Sequence, residues 1–227
     1  MGWAERVYAT GGQTGTQTTA TVVLNGVVAG DLIVIVACSS HTGVLVSTIA
    51  DDDGNDYTTV TWGFSDTLAK SGWAIAKESG NVTITVTWDS AEHTGHWVCA
   101  AAFNPNGDTI SVIGHDETAC YAIDTRTAGP LSGTQNDVLA FGQWVSHGEP
   151  TVSELLIVSG APDTSQATAT CGQWWKIYTG GAADIDATVT VEVAKWLAGE
   201  IVMFELTAGG GGSIVPIVMA MSRRLRG

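Results

Sequence analysis

Residues 81–88 alternate strictly between apolar and polar side chains, and this alternation constrains the fold more than any other feature. Val82, Ile84, Val86 and Trp88 fall on one face, with threonines between them. A period of two residues predicts a half-buried β-strand. No stretch has a convincing helical period; 152–158 comes nearest and is short. With 29 threonines and 28 glycines to supply strands and turns, we expect an all-β protein, which excludes a helical bundle or a coiled coil.

Other segments show the same signals. Short apolar runs or alternating stretches bounded by turn residues are typical of core strands. Strands about 8–12 residues apart, separated by Gly and Asn turns, indicate a sandwich or barrel. We therefore predict an antiparallel β-sandwich of the jelly-roll type. The expected core strands are 32–36, 82–88, 97–103, 138–141 and 188–191.

The two halves of the chain resemble each other. Asp31 and Asp137 open matching blocks, and Ser40–His41 matches Ser146–His147, both at an offset of 106 residues. Further matches pair 72–73 with 173–174, 82–86 with 187–191, and the strands ending at Phe103 and Phe204. We predict two copies of one six-strand unit, at about 11–104 and 117–207. Because the join at 104–108 is short and turn-like, we favour a single sandwich that spans residues 1–207 and not two separate domains.

Residues 208–227 differ from the rest of the chain. A Gly-rich linker at 208–213 precedes an apolar octet and an arginine cluster. The segment carries a charge of +3, whereas residues 1–207 hold 6 basic and 23 acidic side chains, a net charge of −17. An apolar octet needs a partner surface in water. We predict an extended assembly arm that docks on a neighbouring subunit. Its contact residues are Ile214, Val215, Pro216, Ile217, Val218, Met219, Arg223, Arg224 and Arg226.

The start of the chain and its charge exclude several partners. No apolar segment of a secretion signal follows Met1–Arg6, and no apolar run approaches the roughly 20 residues that span a bilayer. We expect synthesis in a cytoplasm and no membrane partner. An acidic body repels phosphate backbones, so nucleic acid is not an expected partner.

The four cysteines, Cys38, Cys99, Cys120 and Cys171, form no CxxC pair, which excludes a zinc ribbon. Cys38 and Cys99 lie in apolar runs. We expect buried, reduced thiols that pack as small apolar residues. Disulfides formed after release from the cell are the alternative.

The acidic stretch 51–56 is the sharpest local motif. Asp51, Asp53 and Asn55 alternate like oxygen ligands of Ca²⁺. An EF-hand loop requires Gly at its sixth position and Glu at its twelfth, but Asp56 and Trp62 stand there. We therefore predict an exposed turn, with weak Ca²⁺ binding as the alternative, and no other cofactor.

Trp174 and Trp175 are adjacent on an expected strand, so one ring points to each face. One of them is expected to be exposed or at an interface. Packing in a core or interface is the favoured interpretation, and a glycan-stacking platform is the alternative.

Catalytic signals are weak. His93 and His96 with Glu92 lack a third metal ligand. The adjacent Ser and His of 40–41 and 146–147 point to opposite faces of a strand, so a shared repeat explains them better than a catalytic dyad. GxSxG, HExxH and phosphate-loop motifs are absent from the sequence. We expect no enzyme, and a hydrolase is the least favoured class.

Several segments occur in an order that carries a resemblance. They are 29–34, 53–58, 80–86, the strands ending at Phe103 and Phe204, and the tail 212–219. Their order resembles phage virion-associated β-sandwich proteins of the capsid-decoration or tail type, a broad group also seen in bacterial surface proteins. The resemblance implies a structural protein of the virion, assembled in the host cytoplasm, whose partners are other virion proteins and copies of itself. A carbohydrate- or receptor-binding module, with a host glycan as partner, is the alternative.

Overall fold

The computed structural model describes residues 2–13, 16–39, 43–64, 67–91, 95–121, 125–147, 152–157, 161–168, 170–191 and 196–207. Those residues form sixteen β-strands, all paired antiparallel and arranged in four sheets. The predicted all-β, antiparallel sandwich fold is confirmed. A search of the described part found no helix of the length and apolarity needed to cross a membrane.

The first unit contains eight strands in two sheets. Its five-stranded sheet has the order β1-β8-β3-β6-β5, and its three-stranded sheet has the order β2-β7-β4. The strands are β1 Ala4–Gln13, β2 Thr19–Val27, β3 Leu32–Ser39, β4 Val46–Asp51, β5 Thr58–Phe64, β6 Thr67–Ile75, β7 Gly80–Trp88 and β8 His96–Asn104.

The second unit repeats this arrangement strand for strand. Its sheets have the orders β9-β16-β11-β14-β13 and β10-β15-β12. The strands are β9 Thr109–Tyr121, β10 Thr125–Leu131, β11 Val138–His147, β12 Val152–Ile157, β13 Thr164–Ala167, β14 Cys171–Tyr178, β15 Ile185–Val191 and β16 Trp196–Thr207.

Each unit therefore has the connectivity of a jelly roll, in which the chain alternates between two sheets. The fifth strand pairs with the sixth, at the edge of the larger sheet. Each unit has eight strands, so the expected number of six strands in the repeat is wrong. The first strand of the first unit is exposed or half-buried along its whole length, so it lacks the apolar alternation that reveals a strand in sequence. The stretch at 152–157 is a strand and not a helix, since β12 pairs with β15.

The pairing of the strands shifts the match between Asp31 and Asp137, and the residues that follow them, by one residue. Leu32 pairs with Phe103 in the first unit, and Leu139 pairs with Phe204 in the second. Leu32 therefore corresponds to Leu139, an offset of 107 rather than 106. Matching Leu32 to Val138 would place equivalent residues on opposite faces of the sheet, because a shift of one residue moves every side chain of a strand to the other face.

Three apolar layers hold the four sheets together. One layer fills each unit, and a third lies between the two five-stranded sheets. The body expected as one sandwich thus consists of two sandwiches stacked through their larger sheets. Strand β3 explains why the stack forms: all eight of its residues are buried, so both of its faces need cover.

Candidate functional site

The layer between the two units contains the most unusual chemistry of the molecule. Three neighbouring strands of the second unit place Gln143, Gln173 and Glu200 in one row, since Gln143 pairs with both of the others. All three side chains are completely buried. The equivalent row of the first unit is Val36, Ser71 and Cys99. Polar groups thus enter this layer mainly from one side.

Ser71 connects the two rows. Its hydroxyl accepts a hydrogen bond from the Trp62 indole N–H at 2.6 Å. The same hydroxyl lies against Gln143 Oε1 and Glu200 Oε2, to either of which it can donate its single proton. Because a buried carboxylate is costly without partners, this contact supplies part of what Glu200 needs.

His115 of β9 supplies the rest. Its Nε2 lies 2.5 Å from Glu200 Oε1. Burial by itself lowers the pKa of His115, but the hydrogen bond and charge of Glu200 and the charges of Glu117 and Asp116 outweigh it and raise the pKa. Glu117 pairs with Glu200 across the strands, and burial raises the pKa of its carboxyl.

Histidine beside carboxylates with shifted pKa values is a pattern found at many active sites. Here, however, Glu200 has no solvent-exposed surface, and its two oxygens face His115 and Ser71. The arrangement therefore fits an enclosed contact between the units better than a site that receives a substrate. The sequence signal for it is weak, because Glu200 stands alone in an apolar run.

A group of thiols lies farther along the same layer. Cys38, Cys99 and Cys171 are buried and carry free thiols. The Sγ atoms of Cys99 and Cys171, which belong to different units, are 4.0 Å apart. Three of the four cysteines thus match the expected buried, reduced state, and nothing is described of the side chain of Cys120.

The acidic stretch 51–56 is a turn held by its own hydrogen bonds. Asp51 accepts bonds from the Asn55 backbone N–H at 3.0 Å, the Asn55 side-chain amide at 2.8 Å and the Tyr57 hydroxyl at 2.6 Å. Gly54 has a φ of 65°, as tight turns require. Burial raises the pKa of Tyr57, and the hydrogen bond to Asp51 and the charge of that residue raise it further.

These bonds use the oxygens that a cation would need. Asn55 Oδ1 accepts the Lys77 backbone N–H at 2.8 Å, and the Lys77 ammonium lies 3.0 Å from Asp56. Two of the three predicted ligands, Asp51 and Asn55, are therefore already engaged by protein groups. Among the described residues, no group of three or more His, Cys, Asp or Glu side chains has metal-binding geometry.

Trp174 and Trp175 point to opposite faces of β14, as adjacent strand residues must. Trp174 packs in the interior of the second unit, and Trp175 packs in the layer between the units. Both rings are completely buried. The interface role fits Trp175, whereas neither ring offers a face on which a sugar can stack.

An open groove of about 270 Å³ lies where the two units join. Apolar Val28, Ile75 and Ile110 line it together with Asp31 and Asp108. Asp31 is 1% exposed; it accepts the Val28 backbone N–H at 2.8 Å and forms an ion pair with Arg6. No sequence signal marks this groove, because its walls come from segments about 80 residues apart.

Several predicted residues lie outside the described part of the chain. These are the arm 208–227 with all its contact residues, Ser40, His41, Glu92 and His93, and the side chain of His147. His96 is described: it is 1% exposed and stacks on Trp88 with ring centroids 4.3 Å apart. Burial lowers the pKa of His96, as expected of a core histidine.

Comparisons with known proteins identify no family. Neither a family model nor a curated protein matches the chain. Among solved structures, the extracellular domain of ANXUR2 from Arabidopsis thaliana aligns over 88% of this chain and 84% of its own, at 7% identity and a TM-score of 0.26. A likeness at that level carries no argument about fold or function.

Proposed function

We propose that this protein is a non-enzymatic structural protein of a phage virion, a capsid-decoration or tail component that attaches to the particle through the arm 208–227. It assembles in the host cytoplasm and ends in the virion. Its partners are other virion proteins and further copies of itself.

The observation that carries this proposal is the use of the buried polar groups. Glu200, His115 and Ser71 are the best equipped for acid–base chemistry, and they contact one another between two packed sheets. They join the two units instead of facing a cavity. The resulting four-sheet stack suits a rigid building block. Jelly rolls occur in viral capsid domains and in lectins, so the fold supports the proposal by analogy only.

Charge gives a second line of support. The body carries −17 and the arm +3. Opposite charges steer association and select partners, while the apolar octet of the arm contributes burial. An arm of this composition suits attachment to another acidic copy, and that attachment weakens with salt.

The arm provides the test. A chain truncated after Thr207 is expected to keep its β-sheet circular dichroism spectrum and yet be missing from purified particles. A matched full-length variant with Arg223, Arg224 and Arg226 changed to Ser should still join through the apolar octet, but more weakly at low salt, and its attachment should change less with added salt than that of the unmodified protein. Antibody against the body, imaged by negative-stain electron microscopy, shows where the protein sits. Normal incorporation of the truncated chain, or particles that never bind the antibody, would overturn the proposal.

The groove favours a second candidate, a carbohydrate- or receptor-binding module with a host glycan as ligand. Apolar walls with a few polar groups are typical of small-ligand sites, and Asp108 and Asn104 line this one. A glycan array probed with the full chain tests it, with Asp108→Ala as the groove variant and Asp56→Ala, in the acidic turn, as the matched control. Binding that only Asp108→Ala abolishes would establish the second candidate.

A further inference from the structure

We propose that Cys99 and Cys171 are an oxidisable pair whose disulfide covalently joins the two units. Cys99 lies on β8 of the first unit and Cys171 on β14 of the second. Their Sγ atoms are 4.0 Å apart, and both side chains are completely buried. The bond would cross the layer that holds the stack together.

The surroundings allow the two sulfurs to approach each other. A disulfide needs an Sγ–Sγ distance near 2.05 Å, so the sulfurs must close by about 2 Å. Ala69 and Ala198 pack in the same cluster as both cysteines. Small neighbours leave room for the rotamer changes and the slight sheet movement that closure requires.

Cys38 is the natural competitor, because it also belongs to the first unit and to this cluster. Its Sγ lies 3.4 Å from the Thr170 hydroxyl and 3.7 Å from the Thr170 carbonyl oxygen. These contacts direct the Cys38 thiol towards the loop before β14. Cys38 also lies within hydrogen-bonding reach of Cys171, but Thr170 engages its thiol, so the 4.0 Å contact between the Cys99 and Cys171 Sγ atoms favours Cys99 as the partner.

The hydrogen bonds also indicate which thiol reacts first. Burial alone would raise the pKa of Cys171, but hydrogen bonds from Cys38, Cys99 and Thr168 outweigh it and lower the pKa. Burial raises the pKa values of Cys38 and Cys99. Thr168 Oγ1 at 3.3 Å and Cys99 Sγ at 4.0 Å both contact Cys171 Sγ, so these groups stabilise a thiolate best at Cys171, and the thiolate is the nucleophile in cysteine chemistry.

A peroxide, admitted when the layer between the units opens transiently, is the oxidant for this step. The Cys171 thiolate attacks one oxygen of hydrogen peroxide, the O–O bond breaks, and a sulfenic acid forms while hydroxide takes up a proton and leaves as water. The Cys99 sulfur then attacks the Cys171 sulfur. The S–S bond forms, and the sulfenic hydroxyl leaves with the Cys99 proton as a second water. Two thiols are oxidised and one peroxide is reduced to two waters.

The timing of this step rests on the proposed function. A reducing cytoplasm keeps thiols free during assembly, whereas an oxidising exterior permits the disulfide after release. The reactivity of the pair does not depend on that function, because it can be measured on the purified chain. A failure to cross-link refutes this inference alone, and a failure to join particles refutes the proposed function alone.

The experiment uses the full chain carrying Cys120→Ser, which leaves one cysteine in the tryptic peptide 78–126. After treatment with hydrogen peroxide, the protein is alkylated in denaturant, digested without reduction and analysed by mass spectrometry. We expect a peptide pair joined through Cys99 and Cys171, and a rise in Tm of roughly 5 °C or more. In the Cys120→Ser background, a further Cys99→Ala substitution should abolish the cross-link and the rise in Tm. A further Cys38→Ser substitution, the matched control, should preserve the cross-link and the rise in Tm.

Several results would overturn the inference. They are full alkylation of Cys171 after peroxide treatment, a sulfinic acid at Cys171 without a cross-link, or a Cys38–Cys171 bond as the main product. If Cys99→Ala does not fold, Cys99→Val replaces it, since valine fills a similar volume without a thiol. The peptide map of the unmodified Cys99 protein decides the question in either case.

Discussion

The two units share one strand order, but they place large and small side chains on different strands. In the first unit Ile35 lies opposite Gly72, whereas in the second Gly142 lies opposite Trp174. The large side chain is on β3 in one unit and on β14, the counterpart of β6, in the other. Each unit keeps one large and one small residue at this cross-strand pair, which is what a close-packed interior demands. Topology is therefore conserved where side-chain identity is not.

The faces that meet between the units differ even more. The second unit presents Gln143, Gln173 and Glu200 where the first presents Val36, Ser71 and Cys99. The second unit supplies most of the hydrogen-bonding groups. The first unit supplies mainly apolar surface that buries them, together with the Ser71 hydroxyl. Such a contact is specific, because a copy of either face against itself would leave polar groups unpaired or a carboxylate against a carboxylate.

The largest effect is expected from the aromatic part of the layer between the units. Trp175 stacks on Phe141 at 5.4 Å and donates from Nε1 to Glu5 at 3.0 Å. Trp175→Ala should destabilise the protein by roughly 3–5 kcal/mol in urea unfolding. Trp73→Ala, at the equivalent position of the first unit, should cost less, because Trp73 has one edge contact with Phe204 among the described ring pairs. Equal losses would show that the two units contribute alike.

The exchanged glycines give the next largest contrast. A Cβ added at Gly142 would lie 2.3 Å from the Trp174 ring, while one at Gly72 would lie 3.2 Å from Ile49 Cδ1. Gly142→Ala should cost about 1–3 kcal/mol, and Gly72→Ala less than about 1 kcal/mol. Thermal unfolding of the two variants measures the difference. The cost of Gly142→Ala should shrink when Trp174 is also changed to Leu, since the clash is with that ring.

The histidines of the two units should respond to pH with opposite signs. The folded-state pKa of His115 is raised, so its contribution to stability is complete below the unfolded value and is lost as pH rises through the folded pKa. The folded-state pKa of His96 is lowered, so its contribution is complete above the unfolded value and is lost as pH falls through the lower, folded pKa. His115→Gln should flatten the fall of Tm above neutrality, and His96→Phe should flatten the fall below it. If His115→Gln leaves the alkaline limb unchanged, the contact with Glu200 does not depend on charge.

The smallest effect belongs to the acidic turn. Asp51→Ala removes three hydrogen bonds and should cost about 1–2 kcal/mol, whereas Asp53→Ala should stay within about 0.5 kcal/mol. A chelator should shift the Tm of the unmodified protein by no more than a few degrees. A larger shift would mean that Ca²⁺ binds with help from a neighbouring loop.

The sequence predicts many of the strands and the faces that they bury. The alternation at 82–88 and its counterpart at 187–191 place the same faces inward in the structure, because apolar side chains at every second position leave one way to bury them. The edge strands were harder, since β1 has only exposed and half-buried residues and the one buried residue of the short β13 is the polar Gln166. Their place comes from backbone pairing with β8 and β14, and such pairing leaves little trace in side-chain pattern.

The sequence by itself determined the all-β class, the repeat and the buried faces of the central strands, because these follow from local periodicity. The tertiary structure alone decided that the repeats form two stacked sandwiches, and it alone brought Ser71, His115 and Glu200 together. Those residues are 44 and 85 positions apart, and no motif along the chain links them. Contacts between sheets depend on which faces meet, and periodicity along one strand carries no information about the strand that will cover it.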